Sequence, residues 1–211
     1  DDCDLLFLYA PTSDITDDEK TIIEKYLSDG GKVYLILGDT TSDTPNLDGI
    51  MSDYGLKKVS GYIADTQRCY QGNYYAIFPQ LSLSGDLGSG ISNQMVLLLN
   101  SPGMEKTDTD NDNLTVTPFM QTSDSGYAVT ENDQTQGQYI LGAVSTNAIS
   151  ADSSDSDSED EDDKSDATDT DTKTARLTVL ASASMISSDI TDQLTTLDNL
   201  TLFVNSVTEN F

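Results

Sequence analysis

The sequence predicts a three-layer α/β domain spanning residues 1–211, with a mostly parallel sheet and an additional β-rich edge or hairpin insertion. Three observations carry this: a strand, helix and strand pattern in residues 4–39, alternating β-type segments through the middle of the chain, and a late strand and helix near the end.

Residues 5–10 (LLFLYA) are apolar without alternation, the pattern of a strand covered on both faces, and Pro11 ends the run. Thr16 followed by Glu19 spells a capping box, and Asp17 and Asp18 put negative charge at the positive end of the helix dipole. A helix therefore starts at Thr16. Ile22, Ile23, Tyr26 and Leu27 recur at helical spacing on one face, opposite Lys20, Glu24 and Lys25. Gly30 and Gly31 supply the left-handed stop, and residues 32–38 (KVYLILG) form a second buried run. Two parallel strands joined by a helical crossover follow.

Leu47, Ile50, Met51 and Tyr54 mark a short helix closed by Gly55. Val59, Gly61 and Ile63 then alternate with Ser60, Tyr62 and Ala64, and residues 75–78 make another short strand before Pro79. Residues 81–93, rich in Ser and Gly, hold one helical turn before a strand at 94–99. A polar loop at 107–113 precedes a strand at 114–121, where Pro118 demands an edge or a bulge. Residues 138–144 read as a central strand and 175–181 as the next. Leu197, Leu200, Phe203, Val204 and Val207 outline a closing amphipathic helix. Between the last two strands, residues 151–174 are almost wholly Asp, Glu, Ser, Thr and Lys, too polar to offset the entropy of ordering. They read as a disordered insertion between two strands, since β-structure resumes after them.

Ten Lys and Arg stand against 37 Asp and Glu, a formal net charge of −27. The imbalance is not confined to the insertion, because the chain outside residues 152–171 still carries 26 acids and nine bases. Such a surface opposes any grip on phosphate backbones, so nucleic acid is excluded as a general partner. No apolar stretch approaches the roughly 20 residues that span a bilayer. The two cysteines, Cys3 and Cys69, form no C-x-x-C pair; a disulfide between them and two isolated thiols both satisfy the sequence.

The chain has no histidine, which removes Ser-His-Asp and Cys-His catalysis and histidine metal sites. Cys3 precedes its strand and Cys69 lies in a polar loop, so neither occupies the strand-to-helix turn of a nucleophile. Ser182 and Ser184 follow a strand without a G-x-S-x-G elbow and read as helix caps. Asp39 ends the second strand as metal-binding aspartates do in receiver-like folds, yet Pro11 and Thr12 stand where the partner acids belong; a turn residue is the better reading. Asp152, Ser154 and Ser156 match the D-x-S-x-S of metal-ion-dependent adhesion sites, but within low-complexity sequence that produces such a match by chance, and the Asp108, Asp110 and Asp112 pattern of an EF-hand start lacks the glycine and closing glutamate of that loop. Asp155, Asp157, Glu159 and Asp160 form the one acidic run suited to loose Ca²⁺ association. No cofactor is indicated. The rim where strands end, at Pro11, Thr12, Asp39 and Thr40, is the default ligand or partner position in an open α/β sheet.

Pro11, Glu19, Tyr26, Leu27, Gly30, Gly31, Lys32, Val33 and Asp39 stand at matching positions of a family pattern: a hydrophobic strand ending in proline, an acidic-start helix, GGKV, and a strand ending in aspartate. In these residues the chain resembles the extracytoplasmic domain of GldG-like auxiliary proteins of ABC-type transport systems. It is similar more weakly over residues 47–56, 176–180 and 199–205. The resemblance implies a flavodoxin-like or glutamine-amidotransferase-like fold of the intraflagellar-transport type. It also implies a non-enzymatic binding or assembly role on the extracytoplasmic face, with membrane anchoring through segments outside this piece of chain. The partners it implies are the transporter's membrane subunits, a second auxiliary chain or an envelope ligand. A different reading is a degenerate hydrolase-like or carbohydrate-binding domain, in which Tyr62, Tyr70, Tyr74 and Tyr75 form an aromatic face for envelope glycans.

Overall fold

The computed structural model describes residues 3–38, 43–149 and 173–211. The first strand, β1 (Leu6–Tyr9), leads into helix α1 (Asp17–Ser28) and then β2 (Lys32–Ile36). The capping box is in place: the Glu19 N–H donates to Thr16 Oγ1 at 3.2 Å and the Thr16 N–H to Glu19 Oε2 at 2.8 Å. A cap of this kind stabilises a helix by about 1 kcal/mol. β1 and β2 are parallel, with Phe7 beside Tyr34 and Leu8 beside Leu35.

Helix α2 (Pro45–Asp53) buries Leu47, Ile50 and Met51, and a series of short strands follows: β3 (Leu56–Lys58), β4 (Tyr62–Asp65), β5 (Cys69–Tyr70), β6 (Asn73–Ile77), β7 (Gln80–Leu81), β8 (Leu98–Leu99) and β9 (Met104–Lys106). Next come β10 (Leu114–Gln121), the hairpin β11 (Gly126–Val129) and β12 (Gln134–Gln136), and the long β13 (Ile140–Ile149) and β14 (Lys173–Leu180). A one-turn helix α3 (Ser188–Thr191) and helix α4 (Asn199–Thr208) close the chain. Residues 150–172, which take in the expected 151–174 insertion up to its last two positions, lie outside the described residues; Lys173 and Thr174 already belong to β14, paired with Ile149 and Ala148.

The main sheet runs β1-β2-β14-β13-β10-β7, with β9 on β13 and β3 on β9. Two further three-stranded sheets are β12-β11-β4 and β5-β6-β8. This overturns the mostly parallel, flavodoxin-like three-layer expectation. Among the described residues only β1 with β2 and β2 with β14 pair in parallel, and every other pairing in the three sheets, β13 with β14 included, is antiparallel. The reason is connection length: one helical crossover is legible in the sequence, whereas antiparallel neighbours need only turns. The β-rich part is therefore most of the domain and not an appendage at its edge.

The strand expected to be covered on both faces is instead the end strand of the sheet. Phe7 and Tyr9 remain 39% and 55% exposed. Full burial falls to β2, where Val33, Tyr34, Leu35 and Ile36 are all inside. Pro118 sits where the register between β10 and β13 shifts, the bulge its missing N–H demands. In α4 the buried residues are Asn199, Leu202 and Ser206, while Leu200 and Val204 face solvent. A second small core gathers Ala76, Leu97 and Ile190 with Tyr70, Phe78 and Leu99 packed against it. Among the described residues no helix is long and apolar enough to cross a membrane.

Candidate functional site

Two surfaces stand out. The first is the open edge of β1. The Ala10 N–H donates to Ile36 O on β2 at 3.0 Å. Successive peptide groups of a strand point to opposite sides, so the Tyr9 C=O and N–H face away from β2. Among the described residues no strand pairs with that outer side. The strand LFLY carries neither the charges nor the proline with which edges are usually blunted. On its α1 side a groove of about 720 Å³ is lined by Cys3, Leu6, Ile22, Ile23 and Tyr26, and Ile22 is 67% exposed.

The second is a cleft of about 540 Å³ where the two small sheets meet, lined by Gly61, Tyr62, Tyr75, Asn100, Val129 and Thr130 together with Glu131. Tyr62 opens β4 opposite Val129 of β11. The following turn carries Glu131 at its tip and is closed by the Thr130 N–H to Asp133 O at 2.9 Å and the Asp133 N–H to Thr130 Oγ1 at 3.0 Å. Across the cleft, the Asn100 N–H donates to Tyr75 O at 3.0 Å. Asn100 has φ +45°, a left-handed conformation that Asn tolerates and that recurs near functional sites.

The four tyrosines of the sequence reading are split. Tyr62 and Tyr75 share the cleft, Tyr70 packs edge-on against Phe78 with centroids 5.9 Å apart, and Tyr74 is half-exposed and does not line the cleft. Glu131 and Asn100 are partners that sequence reasoning missed. They sit in turns, where only the fold reveals what faces them; Asn100, just before Ser101-Pro102-Gly103, carried the single local hint.

At the strand-end rim, a Cβ added to Gly38 would lie 2.3 Å from Pro11 O, so the chain after β2 runs hard against the end of β1. Pro11 and Thr12 thus stand at the expected end of the parallel strands, while Asp39 and Thr40 lie outside the described residues. So do Asp152, Asp155, Asp157, Glu159 and Asp160. Among the described residues no group of three or more His, Cys, Asp or Glu is placed to hold a metal. In the Asp108 to Asp112 loop the turn is held by Thr109 Oγ1, which accepts from the Asn111 N–H, and by Asn111 Oδ1, which accepts from the Asn113 N–H. Cys3 and Cys69 are both free thiols. Ser182 accepts from the Ser184 N–H at 3.1 Å, and Ser184 Oγ accepts from the Leu99 N–H at 2.9 Å, both roles in holding backbone.

Two buried carboxylates are likewise committed. Asp65, wholly buried, accepts from the N–H groups of Gln67, Arg68 and Ser123 and from Ser123 Oγ at 2.7 to 2.9 Å. Burial alone pushes its carboxyl up, but these donors outweigh it and hold it below the usual aspartate range. Asp198, at the start of α4, accepts from the N–H groups of Ser92, Asn93 and Met95, and is also held low against the upward pull of burial.

No family model matches the chain, and no curated protein matches it. Among solved structures the chain superposes on the mmIFT52 N-terminal domain with a TM-score of 0.60 at 13% identity, covering 98% of this chain and 76% of that one. At that identity the likeness concerns the fold alone.

Proposed function

We propose that this is a non-enzymatic binding and assembly domain on the extracytoplasmic face, part of an auxiliary protein of an ABC-type transporter, and that it meets its partner at the open edge of β1. The observation that carries the binding role is that edge: outward-facing Tyr9 peptide groups on an uncharged strand, flanked by exposed Phe7, Tyr9 and Ile22. An extended segment of a transporter membrane subunit or of a second auxiliary chain would add to the sheet there, main-chain bonds giving affinity and the flanking apolar side chains specificity. The transport assignment rests on the GldG-like pattern of residues 5–39. The non-catalytic reading rests on the sequence, which has no histidine and no nucleophile elbow around Ser182 or Ser184.

The test is a pulldown with the membrane-anchored protein. Transporter subunits are expected in the eluate, and Tyr9→Pro, which deletes an outward N–H without touching the β1 to β2 bonds, is expected to remove them. Recovery of no transporter subunit would count against the transport assignment; recovery undiminished by Tyr9→Pro would count against the edge. The glycan-recognition reading loses two of its four tyrosines, Tyr70 and Tyr74, to other positions.

A further inference from the structure

The cleft between the two small sheets is not absorbed by the edge-strand reading, and its chemistry is distinct. Its lining offers two aromatic side chains, Tyr62 and Tyr75, one amide, Asn100, and one carboxylate, Glu131, with no Lys or Arg among them, while the Thr130 hydroxyl is taken up by Asp133 in its own turn. An aromatic ring attracts a cation to its face through its quadrupole, and a carboxylate at the rim adds direct charge attraction. The wider field acts in the same direction, because a net charge of −27 concentrates cations and repels anions. A neutral ligand gains nothing from either term.

The geometry is held in place from several sides. Gly61 has φ +84°, and a Cβ there would lie 2.0 Å from Val129 O, so the chain entering β4 runs hard against β11 at the cleft wall that Gly61 and Val129 line. The Ile63 N–H donates to Ser101 O at 2.8 Å and the Val59 N–H to Gly103 O at 2.9 Å, which ties the Asn100 segment to the strand bearing Tyr62. Both walls are therefore fixed by backbone hydrogen bonds, so little order must be imposed when a ligand enters.

We infer that this cleft binds an organic cation, an alkylammonium or guanidinium group, seated against Tyr62 and Tyr75 with its charge toward Glu131. The group belongs either to a small amine or to a Lys or Arg side chain of a partner protein. This inference is independent of the β1 edge and stands or falls separately from it.

The experiment follows tyrosine fluorescence and backbone NMR shifts of the 211-residue chain during titration with tetramethylammonium, N-acetyl-lysine amide, N-acetyl-arginine amide, methyl glucoside and acetate. The cations are expected to bind, more weakly as salt is raised, with shifts centred on residues 61–62, 75, 100 and 129–131; methyl glucoside and acetate are not. Tyr75→Leu is expected to weaken cation binding by about two- to fivefold. Glu131→Gln at the exposed turn is expected to weaken it by a similar factor, while Tyr75→Phe keeps it. Tyr74→Leu, on the same strand and outside the cleft, controls for general attraction to an acidic surface. A tri-lysine peptide binding at least tenfold more tightly than the single amide marks a partner side chain as the source; equal affinity marks a small amine. Cation binding unchanged by both Tyr75→Leu and Glu131→Gln, or methyl glucoside binding as tightly as the cations, overturns the inference.

Discussion

Phe7 lies flat against Tyr34, ring centroids 5.0 Å apart and planes 13° apart, and Phe203 meets both rings edge-on at 6.4 and 6.1 Å. The end strand, the buried second strand and the closing helix are thus joined by three rings. Tyr34 also bonds Ser206 Oγ at 2.6 Å, and since Ser206 Oγ donates to Phe203 O at 2.7 Å, the tyrosine is the donor. Burial pushes the Tyr34 phenol far above the usual tyrosine range, which keeps it protonated for that role.

Truncating this cluster tests whether β1 is held by its rings. Phe7→Ala is expected to cost about 2 kcal/mol, below the 3–5 typical of a fully buried Phe because Phe7 is 39% exposed. Tyr34→Phe is expected to cost about 1 kcal/mol through the lost hydrogen bond. Tyr9→Ala, on the same strand but 55% exposed, should stay within about 0.5 kcal/mol. Urea unfolding read at unchanged slope measures all three; equal costs for Phe7→Ala and Tyr9→Ala would remove the ring cluster as the clamp.

The helix α1 was legible in the sequence because its signals are local: Thr16, Glu19 and the two glycines act within one or two turns. Its buried face was legible only in part, since Ile23 and Leu27 are inside while Ile22 is exposed. The sheet was not legible, because which strand neighbours which is decided by long-range pairing that no local pattern encodes. The apolar run at residues 5–10 looked central yet forms an end strand, its side chains sheltered in part by Tyr34 and Phe203 from elsewhere in the chain. In α4, apolar Leu200 and Val204 were expected inward, but Asn199 takes the buried place: its amide accepts from the Leu97 N–H and donates to Leu97 O, both at 2.9 Å. A polar side chain that satisfies a neighbouring backbone outcompetes an apolar one there. The cleft was half legible, as Tyr62 and Tyr75 were singled out while Asn100 and Glu131 come from separate turns.

Gly61 is the residue on which the meeting of β4 and β11 depends. Any L side chain there meets both a left-handed backbone and the Val129 carbonyl 2.0 Å from its Cβ. Gly61→Ala is expected to cost about 2–3 kcal/mol, more than the roughly 1 kcal/mol of the backbone conformation alone. Gly72, with φ +78° and nothing within 4 Å of an added Cβ, isolates that conformational part. Thermal unfolding of Gly61→Ala beside Gly72→Ala measures the difference, and equal losses would show that the close approach carries no weight.

The buried Asp65 carboxylate makes part of the stability dependent on pH. Its folded value lies below the 3.8 of a free aspartate, since the N–H groups of Arg68, Ser123 and Gln67 together with Ser123 Oγ outweigh the upward pull of burial. A group depressed in this way contributes its stability fully above the unfolded value and loses it as pH falls through the folded one. Asp65→Asn turns an NH₂ toward N–H donors and is expected to cost about 2 kcal/mol at pH 7. That cost should hold down to about pH 5 and shrink below about pH 4, as the unfolded chain's carboxyl takes up a proton that the folded one still resists, and level off only once the folded carboxylate is protonated as well. Taking the difference between variant and parent cancels the relief of general repulsion that protonation brings to a chain of net charge −27. Chemical denaturation of both proteins from pH 7 to pH 3 measures it. A cost that stays constant to pH 3 would mean that the Asp65 charge contributes nothing, and that the turn joining residues 65–68 to Ser123 is held by shape alone.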